Sequence, residues 1–184
     1  MTIAEEKARL RTQFRRERRE RFISEPFLLL LSAPELSGAQ VVASYCSNRD
    51  EPATTELNQA LLERGSTLIL PRVSGKLLEW VQWFGDPTAL KESAGIFEPI
   101  GPALTNLTSI DAIIVPALHI DREGFRLGQG GGFYDRALPT MSGWKVGVVH
   151  AGEISDPPLP RELHDFPLSA AATPDLIVRF APSK

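Results

Sequence analysis

Cysteine occurs once in the 184 residues, at Cys46, so no internal disulfide can brace the fold. The lone thiol on an apolar strand reads as an inert core group and fits a reducing compartment; a cytoplasmic location is expected. No apolar run reaches the roughly 18 residues that a membrane-spanning helix needs. The opening MTIAEEKARLRTQF is charged where a secretory leader is apolar, so no signal peptide is expected. The three histidines, His119, His150 and His164, lack metal-ligand spacing and read as structural or surface groups. Two phosphate motifs are also missing. No Lys-Ser or Lys-Thr follows the glycines, which removes GxxxxGK[ST], and Phe133 breaks GxGxxG. No internal repeat, low-complexity tract or long linker divides the chain, so residues 1–184 are read as one domain, expected to be a monomer.

What is present begins with uneven charge. Residues 1–22 carry eight Lys/Arg and four Asp/Glu, whereas the remainder carries twelve and nineteen. A basic arm on an acidic body points to an anionic partner at one end. Residues 3–22 read as a long helix with Leu10 and Phe14 as an apolar pair that docks it. Lys7, Arg11 and Arg15 repeat every four residues on another face, which is either solvated or turned to an anion. A second helix is expected over 27–31, between Pro26 and Pro34.

QVVASYCS (40–47) reads as a buried strand. Thr54 or Thr55 is expected to cap a helix that runs to Arg64 and stops at Gly65. STLILPRV (66–73) is a strand stopped by Pro71, and KLLEWVQW (76–83) follows it through a Ser74-Gly75 turn. Trp80 and Trp83, three apart, face opposite sides of that strand, one in the core and one at its rim. FGDPTALKESAGIFEPIGP reads as a loop with a short helix. DAIIVPAL and WKVGVVHA (144–151) are further buried strands, SDPPLPRELHDFPL a connection, and AAATPDLIVRF ends in an edge strand. Strands alternating with helices predict a three-layer α/β/α sandwich around a mostly parallel sheet.

The stretch VPALHIDREGFRLGQGGGFYDRAL (115–138) organises the rest. A strand that ends in glycines and feeds a helix is where α/β proteins hold phosphates. Gly128, Gly130, Gly131 and Gly132 allow successive N–H groups to face one concavity. Arg126 and Arg136 flank it, and Asp135 stands at the helix start. Cations, free N–H donors and one carboxylate suit a nucleotide with its Mg²⁺.

RLGQGGGFYDR closely resembles the RLGxGxGYYDR signature of the 5-formyltetrahydrofolate cyclo-ligase family. KARLR, SYCSNRDEPATTEL, LILPRV, GIFEP, DAIIVPALHID and HDFPL match other family segments in order, so the resemblance covers nearly the whole chain. It implies an α/β/α fold and an ATP- and Mg²⁺-dependent ligase that cyclises 5-formyltetrahydrofolate to 5,10-methenyltetrahydrofolate, releasing ADP and phosphate. It further implies ATP contacts at Lys7, Arg11, Arg126, Leu127, Gly128, Gln129, Gly130, Gly131, Gly132, Phe133 and Tyr134. Folate contacts are implied at Glu51, Gln129, Gly130, Gly131, Gly132 and Phe133. Asp135 is the implied metal ligand, and Arg126 the stabiliser of the transferring phosphoryl group.

Plainer roles stand beside these. Phe133 and Tyr134 either pack on the pterin or anchor their helix. Asp135 either holds metal or caps the helix, and Glu51 either receives a ring N–H or is a solvated loop acid. The chain departs from the family pattern at Ala53, Gln129, Phe133 and Ser169. Ser169 stands where the family's HDxxxD has its second Asp, which the resemblance links to Mg²⁺. Ala53, Gln129 and Ser169 motivate an alternative, a reduced-folate-binding paralogue with little turnover. A nucleic-acid-binding module using the basic helix is the other alternative; the acidic body argues against it, and no nucleic-acid or membrane partner is expected.

Overall fold

The computed structural model describes residues 1–21, 25–93 and 95–181. In chain order, α1 (Ile3–Arg21) precedes a 3-10 segment (Leu28–Ser32) and α2 (Pro34–Ser37). Next come β1 (Val41–Ala43), α3 (Thr55–Glu63), β2 (Thr67–Ser74) and β3 (Leu77–Trp83). A 3-10 turn (Pro87–Ala89) leads into β4 (Leu90–Ser93), β5 (Ile96–Pro99) and β6 (Ala112–Pro116). β7 (His119–Asp121), β8 (Arg126–Leu127) and α4 (Phe133–Ala137) follow. β9 (Trp144–Val148), β10 (Ile154–Ser155), β11 (Ala170–Ala172) and β12 (Ile177–Arg179) complete the chain.

Seven strands form one sheet in the order β12-β11-β9-β6-β1-β2-β3. The five inner strands run parallel, and both edge strands are antiparallel. The apolar runs read from the sequence are two-faced. Val42, Leu68, Leu70, Ala112 and Ile114 face Phe27, just before the 3-10 segment, and Leu30, Leu36, Leu57 and Leu61 from that segment, α2 and α3. Their alternates Ala43, Ile69, Ile113 and Val115 face Trp80, Ile120, Leu138 and Met141. Period-two alternation puts every second residue on the opposite face, so a sheet covered on both sides demands unbroken apolar runs. Trp80 is buried on one face and Trp83 packs partly buried on the other, as their spacing requires.

Several elements differ from the sequence reading. Pro71 does not stop β2, which continues to Ser74 paired with β3. Ile69 accepts from Ser44 N on the β1 side, and the imide nitrogen two residues on faces that side beyond the end of β1, so no ladder bond is lost. The turn into β3 falls on Gly75-Lys76, one residue later than expected. Segment 84–102 carries the expected short helix as the 3-10 turn Pro87–Ala89 and adds the hairpin β4–β5 where loop was expected, and the loop after β6 holds β7 and β8. The expected helix over 27–31 is a 3-10 segment. Thr54 flanks α3 without a side-chain cap; its Oγ1 donates instead to Tyr45 O at 2.6 Å.

α1 ends at Arg21; position 22 of the expected helix lies outside the described residues. Its docking corrects another expectation. Leu10 and Phe14 are only partly buried, and neither apolar cluster includes a side chain of α1. The side chains that α1 buries fully are Lys7 and Arg18. Phe14 contributes a stacked contact with His119, ring centroids 3.9 Å apart. Among the described residues, no helix is long and apolar enough to cross a membrane.

Candidate active site

The sheet order reverses between β1 and β6: β2 lies to one side of β1, β9 and β11 to the other side of β6. Chain leaving two neighbouring strands in opposite directions opens a crevice at their carboxyl ends, where open α/β sheets bind ligands. A cavity of about 320 Å³ lies there. The loop after β1 contributes Tyr45, Cys46, Asn48 and Glu51, and the loop after β6 contributes Arg126 to Asp135. Lys7 and Arg11 close it from α1, Ile96–Glu98 from the β4–β5 hairpin, and Glu162, His164 and Asp165 from the connection before β11.

The glycine loop is held by its carbonyl groups. Arg11 Nε donates to Gly128 O at 3.0 Å, Arg15 Nη2 to Gln129 O at 2.9 Å, and Arg136 Nη2 to Gly131 O at 2.8 Å. Arg15 Nε also donates to Gln129 Oε1 at 2.9 Å. None of the N–H groups of residues 128–132 is spent on a protein acceptor among the described residues. Guanidinium groups thus take the negative ends of these peptides and leave the positive ends for a ligand. Gly130 and Gly132 have φ of 107° and 65°, a region that side chains disfavour. Gly131 does not; there a Cβ would lie 2.7 Å from the Phe133 ring, so a side chain would have to displace that ring.

The Arg126 side chain is only 4% exposed, and Nη2 lies 3.0 Å from Asp135 Oδ1. The other oxygen of Asp135 carries no hydrogen bond among the described residues. Leu127 is buried, and Leu127 O accepts from Leu118 N. Phe133 lies beneath the Arg136 guanidinium at 5.3 Å. Tyr134 meets Trp80 edge-on at 6.3 Å, and its hydroxyl is out of solvent with no hydrogen-bond partner among the described residues. Burial raises that phenol well above its ordinary range, and it pushes the Cys46 thiol up to about 11. Both groups stay protonated at neutral pH.

Glu51 is not a solvated loop acid. It is half-buried, accepts from Asn48 N at 3.1 Å and faces the cavity. Burial raises its carboxyl above the ordinary range, the Asn48 N–H opposing. A desolvated carboxylate with one backbone partner has acceptor capacity left for a ligand N–H.

Lys7 Nζ donates to Asp165 Oδ2 at 2.5 Å and to Glu162 Oε2 at 3.0 Å. Glu162, His164 and Asp165 bring one donor atom each within 4.8 Å of one another, so His164 belongs to a possible ligand cluster that its spacing had not suggested. Arg161 and Leu159 N both bond the buried Asp121 carboxylate, which fixes this connection against the β7–β8 hairpin. HDFPL pointed to Asp165, and GIFEP marked the stretch that holds Ile96–Glu98 without giving it a role; Glu162 carried no sequence signal. Ser169 stands away from the cavity, its backbone paired with Lys145 and Phe180, and Ala53 does not line it. The departure at position 169 therefore removes no carboxylate from this site.

A mostly parallel sheet whose reversal point opens on an arginine-held glycine loop defines an α/β enzyme of the anion-binding kind. Residues 3–174 match the model of the 5-formyltetrahydrofolate cyclo-ligase family, and the chain belongs to that family. It is 34% identical over 154 residues to a 5-formyltetrahydrofolate cyclo-ligase of Mycolicibacterium smegmatis, covering 78% of each chain. To the Escherichia coli K12 protein of the same description it is 31% identical over 158 residues, 80% of this chain and 85% of that one. The solved 5,10-methenyltetrahydrofolate synthetase of Aquifex aeolicus superposes with a TM-score of 0.81 at 32% identity, over 97% of this chain and 94% of that one. The synthetase of Mycoplasma pneumoniae, at 16% identity and a TM-score of 0.64, shares the fold.

Proposed function

We infer that this chain is an ATP-dependent 5-formyltetrahydrofolate cyclo-ligase of folate one-carbon metabolism, working as a single domain. The observation that carries the reading is the glycine loop, with its carbonyls bonded to Arg11, Arg15 and Arg136 and its N–H groups left for an anion. The formyl oxygen of the substrate is a poor leaving group. It attacks the γ-phosphorus of ATP, the bond to the β-bridging oxygen breaks, and ADP leaves. N10 then adds to the activated formyl carbon, loses its proton, and the C–O bond breaks to release phosphate and the methenyl product.

Such chemistry calls for positioning and charge stabilisation more than for an acid or base. The loop N–H groups hold the phosphates, Lys7 and Arg11 reach them from α1, and Arg126 stabilises the transferring group. Glu51 accepts from the pterin, with Phe133 and Tyr134 packing on its flat face. The reading includes Mg²⁺, because hard carboxylate oxygens suit it and the cavity has them at Asp135 and Asp165, with Glu162 beside them. When bound, the ion neutralises phosphate charge. The test is formation of methenyltetrahydrofolate, followed by its near-ultraviolet absorbance. Product is expected only with both ATP and Mg²⁺ present, with one phosphate released per turnover. Folate binding without product under those conditions would leave a binding paralogue.

A further inference from the structure

Beside the main cavity lies a second recess of about 200 Å³ with a different character. Its walls are Arg15, Arg18 and Arg19 of α1, Asn48 and Asp50 of the loop after β1, and Gln129 of the glycine loop. Asn48 and Gln129 also line the main cavity, so the two spaces share a wall. The three guanidinium groups differ in how far they are committed. Arg18 is buried and spent: it bonds both Glu153 oxygens and the carbonyls of Ala117 and Leu118. Arg15 uses Nε and Nη2 on Gln129 and keeps Nη1. Arg19 is exposed and makes no hydrogen bond or ion pair among the described residues. Glu153 balances Arg18, and Asp50 balances only one of the other two, so the recess keeps a net positive charge.

We propose that this recess receives the carboxylate-bearing tail of the substrate while its ring system occupies the main cavity. The assignment rests on the folate reading above. 5-Formyltetrahydrofolate is a flat bicyclic head joined through a benzoyl spacer to a glutamate with two carboxylates. A ligand of that form needs two adjoining spaces, one largely apolar and one cationic. A triphosphate is the other anion that the reading supplies. Lys7 and Arg11, which line the main cavity, serve it, whereas Arg15, Arg18 and Arg19 line the second recess and not the first. Carboxylates accept from guanidinium forks in planar, paired bonds, and Asn48 supplies a neutral donor at the common wall.

The test uses Arg19→Glu in the full chain, an exposed substitution that leaves every described bond in place. Two ligands are titrated without nucleotide: 5-formyltetrahydrofolate and a 5-formyltetrahydropterin lacking the benzoylglutamate tail. Charge reversal is expected to raise the Kd of the tailed ligand about 5- to 20-fold and to leave the tail-less one within about twofold, the difference shrinking as salt rises. Equal effects on both ligands, or none on either, would overturn the assignment. So would an unchanged folate Kd with a raised KM for ATP, which would give the recess to the nucleotide. Wild-type protein that binds neither ligand would overturn the folate reading and the recess assignment with it.

Discussion

At the scale of single residues, Glu51 shows a function set against stability. Its folded-state acidity is weakened by burial, so the folded chain holds the proton to higher pH than the unfolded chain does. As pH rises past the unfolded pKa the unfolded chain ionises first, and stability falls until the folded group has ionised too. Glu51→Gln removes that loss. The variant is expected to melt about 1–3 °C higher at pH 7, with no gain in acid below the ordinary carboxylate range, where both forms are neutral. Its folate Kd should rise about tenfold, since a charged acceptor is replaced by a neutral one. A melting temperature unchanged between the two pH values would show that the group is not held desolvated. Arg126 makes the opposite case. Arg126→Ala is expected to lower kcat about 100-fold while folate Kd stays within about threefold, as loss of one donor to a developing charge does. Comparable losses in kcat and folate affinity would make it a positioning residue for Asp135. The glycine loop was legible residue by residue, because glycine, arginine and carboxylate types in that order have few other uses. The separate cause at Gly131, the approach of the Phe133 ring, was not, because it depends on a rotamer.

At the scale of elements, α1 was legible as a helix, and its cationic repeat was legible as a face. Its mode of attachment was not. Leu10 and Phe14 suggested an apolar dock, but the helix meets polar loops rather than an apolar sheet face, and buries Lys7 and Arg18 instead. Lys7→Ala combined with Arg11→Ala is expected to raise the KM for ATP roughly tenfold to a hundredfold, with the folate Kd measured without nucleotide nearly unchanged. Added salt should shrink the effect. An ATP KM within about twofold of wild type at two salt concentrations would leave the face to loop packing alone. The β4–β5 hairpin escaped the sequence reading for a physical reason. Its strands are short, and most of their residues are exposed, so the alternation that marks a half-buried strand is absent. β7 and β8 are almost wholly buried but only three and two residues long, too short to show a period; their pairing closes a loop and is set by Asp121 accepting from Glu123 N and Phe125 N.

At the scale of the whole molecule, the mostly parallel sheet was legible because burial on both faces leaves no polar alternative along β1, β2, β6 and β9. The strand order was not, since every inner strand reads alike and only tertiary packing decides which neighbour each takes. The order matters more than the strands do, because it sets the reversal point between β1 and β6. α1 lies outside both apolar clusters, so the sheet and its coverings close without it. Solubility and turnover are then written in different parts of the chain. Position 7 is constrained in any screen, because a neutral residue there would leave the Asp165 and Glu162 carboxylates without their lysine partner. A library varied at positions 11 and 15 and screened only for soluble expression would keep most helix-forming residues there. The same library screened for product would return a narrow set of cations. Drift at these two positions is thus invisible to the quality control that removes misfolded protein, and a lineage that ceased to need the reaction would lose it there first while keeping an intact fold.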